Sequence, residues 1–292
     1  MNYYQILKIT GIILLIFSLF ILIPISAAFF YGESIDNFLQ SFLIIFFVGL
    51  LAYFPNKKEK SQIKIREGFL IVAIFWFVLS FFGAIPFLMD ESLKFSLVDA
   101  VFESASGWTT TGATVVSNID NLNKPLLLYR QLLQWLGGIG IVVLVLAILP
   151  ILGVGGMYLY KAETSSPVKD NKLSPRITET AKSLWGVYIV LTIACAVLYK
   201  IAGMSYFDAI GHSFSTVSIG GFSTHDASIG FYSSDLIKII CMVFMFLSAL
   251  NFVLHFLFYK NKSLTVYTSN SEMKSFLLII IILSLIHISE PT

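Results

Sequence analysis

Seven long apolar stretches set the strongest limit on how this chain of 292 residues can fold. The hydrocarbon core of a bilayer is about 30 Å thick, and an α-helix needs roughly 20 apolar residues to cross it. Hydrophobic residues make up 57% of the chain and charged residues only 12%, which excludes an ordinary soluble domain. We therefore predict an all-α integral membrane protein. The apolar stretches cover residues 6–30, 38–54, 69–89, 126–152, 184–201 and 235–259, and the last begins near residue 273.

The charged residues divide between the two sides of the predicted membrane protein. Three connectors, 55–67, 161–182 and 260–274, together with Lys8, hold 14 of the 19 lysines and arginines. The positive-inside rule places these connectors and the N-terminus in the cytoplasm. The opposite side carries 10 of the 17 acidic residues and should attract cations. These acidic residues are Glu33, Asp36, Asp90, Glu91, Asp99, Glu103, Asp120, Asp208, Asp226 and Asp235. A net charge of +2 gives no reason to expect nucleic-acid binding.

An internal repeat emerges when residues 95–117 are aligned without gaps with residues 204–226, an offset of 109 positions. Each copy lies between two apolar helices, so the repeated unit reads helix, short segment, polar string, helix. The identical pairs are Ser96 and Ser205, Asp99 and Asp208, Ala100 and Ala209, Ser104 and Ser213, Ser106 and Ser215, and Gly112 and Gly221.

Each copy opens with a helix-capping signature, a serine followed three residues later by an aspartate. The helix predicted over residues 97–108 has 12 residues and a length of about 18 Å, which is about half the bilayer. The segment is therefore expected to enter and leave the membrane on the same side. Non-helical backbone at membrane depth is tolerated only where it is buried in protein or lines a watery cavity.

The two polar strings, "TTTGA" at 109–113 and "VSIGG" at 217–221, follow these short helices. Such strings supply closely spaced carbonyl oxygens, and rings of carbonyl oxygens replace the hydration shell of an ion in potassium filters. The negative C-terminal ends of the short helices would favour a cation at the same place. The sequence therefore predicts a cation pathway.

Several strings of the sequence closely resemble the TrkH family of bacterial potassium uptake subunits, within the Trk/Ktr/HKT superfamily. They are "LLQWLGGIGIVVLVLAILPILGVGGMYLYKAE", "PVKDNKLSPRITETAKSLW", "FDAIGHSFSTVSIGGFSTHDASIG" and "LNFVLHF". The resemblance implies repeated helix, re-entrant pore loop, helix units as in potassium channels and Trk/Ktr transporters. Four such units would surround a pseudo-fourfold pore, preceded by two extra helices.

The resemblance also implies which residues line the filter for the transported K⁺. The positions that match are Thr110, Thr111, Gly112, Ile219, Gly220 and Gly221. Gly221 aligns with Gly112, and the adjacent Gly220 remains open as the alternative. The expected function is potassium transport without enzymatic activity, with symport and channel mechanisms both open.

Family resemblance implies further partners and a location. We expect a homodimer in the bacterial inner membrane, in contact with lipid. A cytoplasmic, nucleotide-sensing regulatory ring of the TrkA type is expected to bind the basic connector 161–182.

The expected organisation contains two complete units and the start of a third. It consists of an N-terminal helix pair at 1–67, a first unit at 68–160, a cytoplasmic loop at 161–182, a second unit at 183–260 and a truncated third unit at 261–292. The tail 286–292 does not match the family and is expected to be non-native. Half of the pore would be present, so the isolated chain should not conduct unless another copy completes the ring.

Two other functions are weighed against transport. An intramembrane serine protease would use Ser106 as nucleophile and His255 as base, although the repeat would then have no purpose. A non-conducting membrane partner would fit a truncated chain.

Isolated polar residues within the apolar stretches have simpler interpretations. Arg130 and Lys238 are expected to snorkel from the outer ends of their helices. A hydrogen bond to a neighbouring helix accounts for His255 more simply than a place in the pore.

Overall fold

The computed structural model describes residues 3–58, 65–138, 140 and 174–289, which form helices, turns and loops without any strand. The all-α prediction is confirmed for this part of the chain. The helices are α1 (Tyr3–Tyr31), α2 (Asp36–Tyr53), α3 (Ile65–Phe82), α4 (Ile85–Met89), α5 (Leu97–Trp108), α6 (Lys124–Gly138), α7 (Ser174–Ile201), α8 (Tyr206–Val217), α9 (Asp235–Ala249), α10 (Phe252–Asn261), α11 (Thr265–Thr268) and α12 (Ser271–Ser289).

Four helical segments in the described residues are long and apolar enough to cross a membrane, and the bent pair α9 and α10 could make a fifth. The four segments are Tyr3–Tyr31, Asp36–Asn56, Leu70–Met89 and Lys182–Ile201. Of the predicted stretch 126–152, the structure describes only α6 and Gly140. The rest of that stretch and most of the predicted loop 161–182 lie outside the described residues.

The predicted continuous span over residues 235–259 is wrong, because α9 and α10 meet at an angle of 92°. The backbone of Leu250 is extended, and the side chain of Asn251 caps α10 by accepting a hydrogen bond from the Val253 amide at 3.1 Å. His255 donates from Nε2 to the carbonyl oxygen of Leu247 at 2.9 Å. Two polar side chains thus satisfy backbone groups that the break frees, as buried backbone requires.

The first two helices pack closely because two glycines face each other. A Cβ atom on Gly11 would lie only 2.8 Å from the carbonyl oxygen of Gly49 and 2.6 Å from the backbone nitrogen of Tyr53. Small residues allow such a close approach between membrane helices. The N-terminal pair therefore forms a tight unit.

Two buried clusters meet at α6. The first joins α1, α3, α5 and α6 and includes Trp108, whose ring meets that of Phe17 edge-on at 5.2 Å. The second joins α7, α8 and α9 and includes Tyr188. Trp135 of α6 packs against both clusters and stacks on Tyr188 at 5.7 Å. Helix α6 therefore packs between the two repeated segments and contacts both of them.

The two short helices α5 and α8 have 12 residues each, and α5 has the predicted bounds. Ser96 and Asp99 form a complete capping box at the start of α5. At α8, Ser205 accepts from the Asp208 amide, and its hydroxyl donates to the Asp208 carboxylate at 2.7 Å. Each helix is about 18 Å long, too short to cross a bilayer.

Candidate functional site

The two polar strings adopt the same backbone conformation at matched positions. Thr110 and Ile219 have φ angles of 53° and 56°, and Gly112 and Gly221 have φ angles of 75° and 85°. Each pair is separated by the 109-residue offset of the repeat. Gly221, and not Gly220, is therefore the conformational counterpart of Gly112. A positive φ in a β-branched residue is a genuine outlier, and such strain concentrates at functional sites.

The amide groups of both strings donate back to the short helices in the same pattern. The Thr110 and Ile219 amides donate to the carbonyl oxygens of Gly107 and Thr216, both at 3.1 Å. The next amide in each string donates to the carbonyl of the serine that both repeats share, Ser106 or Ser215, at 2.9 and 2.8 Å. Because the N–H groups are used in this way, each string is anchored to its own helix.

The two strings lie directly against each other. A Cβ atom on Gly112 would overlap the carbonyl oxygen of Gly220 and would lie 3.7 Å from the Cα atom of Gly221. Only a glycine at position 112 therefore allows the two strings to approach so closely. On Gly221, by contrast, a Cβ atom would meet no described atom within 4 Å.

The carbonyl oxygens of the strings divide into two groups. Those of Ala113 and Gly220 accept hydrogen bonds from Ser106 Oγ and Gln134 Nε2. Among the described residues, the other carbonyl oxygens of the strings have no hydrogen-bond donor, and five of them belong to the predicted filter positions. These are the carbonyls of Thr110, Thr111, Gly112, Ile219 and Gly221. Carbonyl groups at membrane depth need a partner, and water or a cation can supply one.

Gln134 of α6 holds the second string at two points. Its Nε2 donates to the carbonyl oxygen of Gly220 at 2.7 Å, and its Oε1 accepts from the Phe222 amide at 3.0 Å. Gln134 is fully buried. The only signal for this residue in the sequence is an amide side chain inside an apolar helix, so its role was not predicted.

Arg130 does not snorkel, so that interpretation is wrong. Both Arg130 and Glu103 are fully buried, and Arg130 Nε lies 2.8 Å from Glu103 Oε1. Glu103 therefore contributes no exposed charge to the outer acidic surface, contrary to the prediction. Lys238, by contrast, is exposed and contacts Asp235 at 3.1 Å. The partner of Arg130 lies 27 residues away on another helix, which a helix-by-helix interpretation cannot detect.

Acidic residues join the loops that follow the two strings. The Asp226 carboxylate accepts from the amide of Ile119 at 3.0 Å, and His225 Nδ1 donates to Asp120 at 2.7 Å. His225 also stacks on Phe231 with ring centroids 3.6 Å apart. The hydrogen bond from His225 lowers the pKa of the Asp120 carboxyl below its ordinary value of 3.8. These contacts fix the two loops to each other across the repeat.

The residues of the protease hypothesis are not paired with each other. The Ser106 hydroxyl donates to the carbonyl oxygen of Ala113. His255 accepts at Nδ1 from the Tyr267 hydroxyl at 2.8 Å and donates at Nε2 to Leu247. Both nitrogens of the imidazole are therefore already engaged, and the hydrogen-bonding interpretation of His255 is the one that its contacts support.

These features define a multi-pass α-helical membrane protein in which two matched short helices bring two polar strings together. A family model, TrkH, described as a cation transport protein, matches residues 34–284. The chain belongs to the TrkH family, and the resemblance found in its sequence is confirmed.

Similar proteins are named for potassium uptake. The Trk system potassium uptake protein TrkH of Escherichia coli (strain K12) is 50% identical over 278 residues, covering 95% of this chain and 58% of that protein. The protein TrkG of the same strain is 43% identical, covering 92% of this chain and 56% of that protein. The crystal structure of the potassium transporter TrkH from Vibrio parahaemolyticus has a TM-score of 0.84 and 45% identity, covering 98% of this chain and 58% of that chain. The chain thus spans somewhat more than half the length of these relatives.

Proposed function

We propose that this chain forms part of the pore of a potassium uptake protein. The observation that carries the proposal is a set of carbonyl oxygens on two adjacent strings of matched conformation, for which the described part of the chain supplies no hydrogen-bond donor. Carbonyl oxygens of this kind replace the water around a cation as it loses its hydration shell. The relatives named above are potassium uptake proteins, which supports K⁺ as the transported ion.

Each repeated unit would supply one part of the filter. We propose that Thr110, Thr111 and Gly112 line it from the unit at 68–160, and that Ile219 and Gly221 line it from the unit at 183–260. The Gly220 carbonyl oxygen accepts a hydrogen bond from Gln134 and would therefore hold the string in position instead of contacting the ion. Two strings cover half of a fourfold ring, so conduction would require two further units.

The environment of the protein follows from the same proposal. The basic connectors would face the cytoplasm together with the N-terminus, and the acidic loops would face outward, at the inner membrane of a bacterium. Asp120, Asp208 and Asp226 would then lie on the side from which K⁺ enters. A homodimer and a nucleotide-sensing TrkA-type ring on the cytoplasmic side are the proposed partners.

A glycine substitution with a matched control tests the pore. The longest native reading frame that contains this chain is expressed in a bacterium without its own potassium uptake systems, and growth at low K⁺ and Rb⁺ uptake are measured. Gly112→Ala should abolish uptake, because the added methyl group would overlap the Gly220 carbonyl. The control is Gly203→Ala, since Gly203 also has a positive φ, of 108°, but no described atom lies within 4 Å of its Cβ position.

The outcomes separate strain from function. Both variants carry an alanine in a left-handed conformation, so a general effect of backbone strain would reduce both alike. Uptake that is retained by folded Gly112→Ala protein, or lost equally in both variants, would contradict the assignment of the pore.

A further inference from the structure

The buried arginine of α6 reaches both strings at equivalent positions. Arg130 Nη2 donates to Thr114 Oγ1 at 2.9 Å, and Nη1 donates to the carbonyl oxygen of Ser223 at 3.4 Å. Thr114 and Ser223 are counterparts under the 109-residue offset. The guanidinium also lies over the ring of Phe222, with its Cζ atom 4.4 Å from the ring centroid. One side chain therefore contacts the backbone segment that follows each of the two strings.

Glu103 completes this arrangement on the first string. Its carboxylate accepts from Arg130 Nε at 2.8 Å, from Thr114 Oγ1 at 2.9 Å and from the Val115 amide at 3.1 Å. The planar guanidinium presents its donors in a fixed fork, so it can hold a carboxylate and two further acceptors at once. A buried charge that loses its partner is strongly unfavourable, so each member of the pair fixes the other.

At the second string, a histidine takes the place of the Glu103 carboxylate in the equivalent contact. His212 is the counterpart of Glu103, and its Nε2 accepts from the Ser223 hydroxyl at 3.0 Å, as Glu103 accepts from Thr114. The amide two residues further on donates to the hydroxyl in both strings, from Val116 to Thr114 and from His225 to Ser223, each at 3.0 Å. The repeat thus keeps the hydrogen bonds, but only the first unit carries the carboxylate that binds Arg130.

We propose that Arg130 and Glu103 are positioning residues that set the spacing of the two filter strings and thereby the discrimination between K⁺ and smaller cations. This inference rests on the proposed pore function. The pair does not contact the ion in the proposed filter. It acts through Thr114 and Ser223, which lie two residues after Gly112 and Gly221. If the spacing relaxes, the carbonyl oxygens can close around a smaller ion, and selectivity falls before uptake itself is lost.

Three variants test the pair through selectivity. Arg130→Lys retains the positive charge, but a single ammonium group cannot reach Glu103, Thr114 and Ser223 together. Glu103→Gln removes the charge partner and retains the shape. Thr114→Val removes one hydroxyl without leaving a buried charge, and it serves as the variant that should still fold. The matched controls are Asp235→Asn combined with Lys238→Gln, an exposed ion pair, and Thr192→Val, a buried threonine on α7.

The readout is the ratio of Rb⁺ uptake to Na⁺ uptake, measured in cells and normalised to the amount of folded protein that detergent extracts. The native reading frame that contains the chain is used throughout. All three variants, Thr114→Val, Glu103→Gln and Arg130→Lys, should lower the ratio. The fall should be roughly tenfold in Arg130→Lys, which is within the range by which the loss of contacts in a binding site reduces discrimination. The control variants should keep the ratio of the unsubstituted protein.

Each outcome has one meaning. If the unsubstituted protein takes up no Rb⁺, the proposed function fails. If it takes up Rb⁺ and folded Thr114→Val and Arg130→Lys proteins keep the same ratio, the positioning role alone is wrong. Should the Arg130 and Glu103 variants fail to fold, the ratio of Thr114→Val decides the question.

Discussion

Thr110 and Ile219 occupy the same left-handed region of backbone space, with φ angles of 53° and 56°, although 109 residues separate them. Neither residue favours this conformation, because a β-branched side chain crowds the backbone there. Their amides donate to helix carbonyls in the same way, so the strained turn is a feature of the repeated unit. Local preference would not select it twice, and the anchoring to each short helix must hold it.

The strain at Ile219 leads to a prediction on stability. Ile219→Gly should not lower the melting temperature of the detergent-solubilised protein. Glycine relieves a left-handed backbone strain of about 1–2 kcal/mol. The greater backbone entropy that a glycine loses on folding costs only about half as much. Gly221→Val should lower the melting temperature, since Gly221 has a φ of 85°.

The control for this pair is Gly230→Val. Gly230 has no positive φ, and no described atom lies within 4 Å of its Cβ position. A melting temperature that falls as much in Gly230→Val as in Gly221→Val would show that backbone strain is not the cause.

Two glutamines on α6 allow a matched test of the hydrogen bonds between Gln134 and the second string. Gln134→Leu should destabilise the protein by about 1–3 kcal/mol, because it leaves the buried Gly220 carbonyl and Phe222 amide unpaired. Gln131→Leu should be neutral or stabilising, because the amide atoms of the fully buried Gln131 find no partner among the described residues. Thermal melts of both purified variants check the difference, and equal effects would argue against a specific role for Gln134.

The contact between Asp120 and His225 predicts a dependence on pH. The hydrogen bond lowers the pKa of Asp120, so its contribution to stability is present above the ordinary carboxyl value of 3.8 and is lost as the pH falls through the lower folded value. The melting temperature of the unsubstituted protein should therefore fall more steeply below about pH 4 than that of Asp120→Asn. His225→Gln should reduce the steepness in the same way, and parallel curves for all three proteins would contradict the assignment.

The break between α9 and α10 predicts a position-specific effect of capping. Asn251→Ala should destabilise the protein by about 1 kcal/mol, because the Val253 amide loses its acceptor. Asn251→Ser retains an uncharged acceptor at the N-cap, places no second carboxylate next to Glu272, and should remain close to the unsubstituted protein. Melting temperatures of the two variants test this, and an equal loss in both would mean that the side chain of Asn251 does not act as a cap.

Local signals made the short helices predictable. Ser96 and Asp99 set the start of α5, and the length to Trp108 then excluded a full crossing. These features depend on residues within one turn of each other, so the sequence reveals them directly. The repeat extended the same interpretation to Ser205 and Asp208.

Contacts between distant residues were not predictable in the same way. The position of Arg130 near the outer end of its helix suggested a snorkelling side chain. The contact with Glu103 could not be predicted, because Glu103 belongs to another helix and has no helical spacing to Arg130. The break at Asn251 was missed for a similar reason, since apolar residues continue on both sides and the stabilising contact from His255 to Leu247 exists only after folding.

The difference between Glu103 and His212 has a consequence for any attempt to simplify this protein. A tandem design made from two copies of the first unit would replace His212 with a carboxylate, close to the Ser223 that already contacts Arg130. One guanidinium would then face two acids in a dry interior, where a second unneutralised charge is strongly disfavoured. The two units are alike in backbone, yet they are not interchangeable parts.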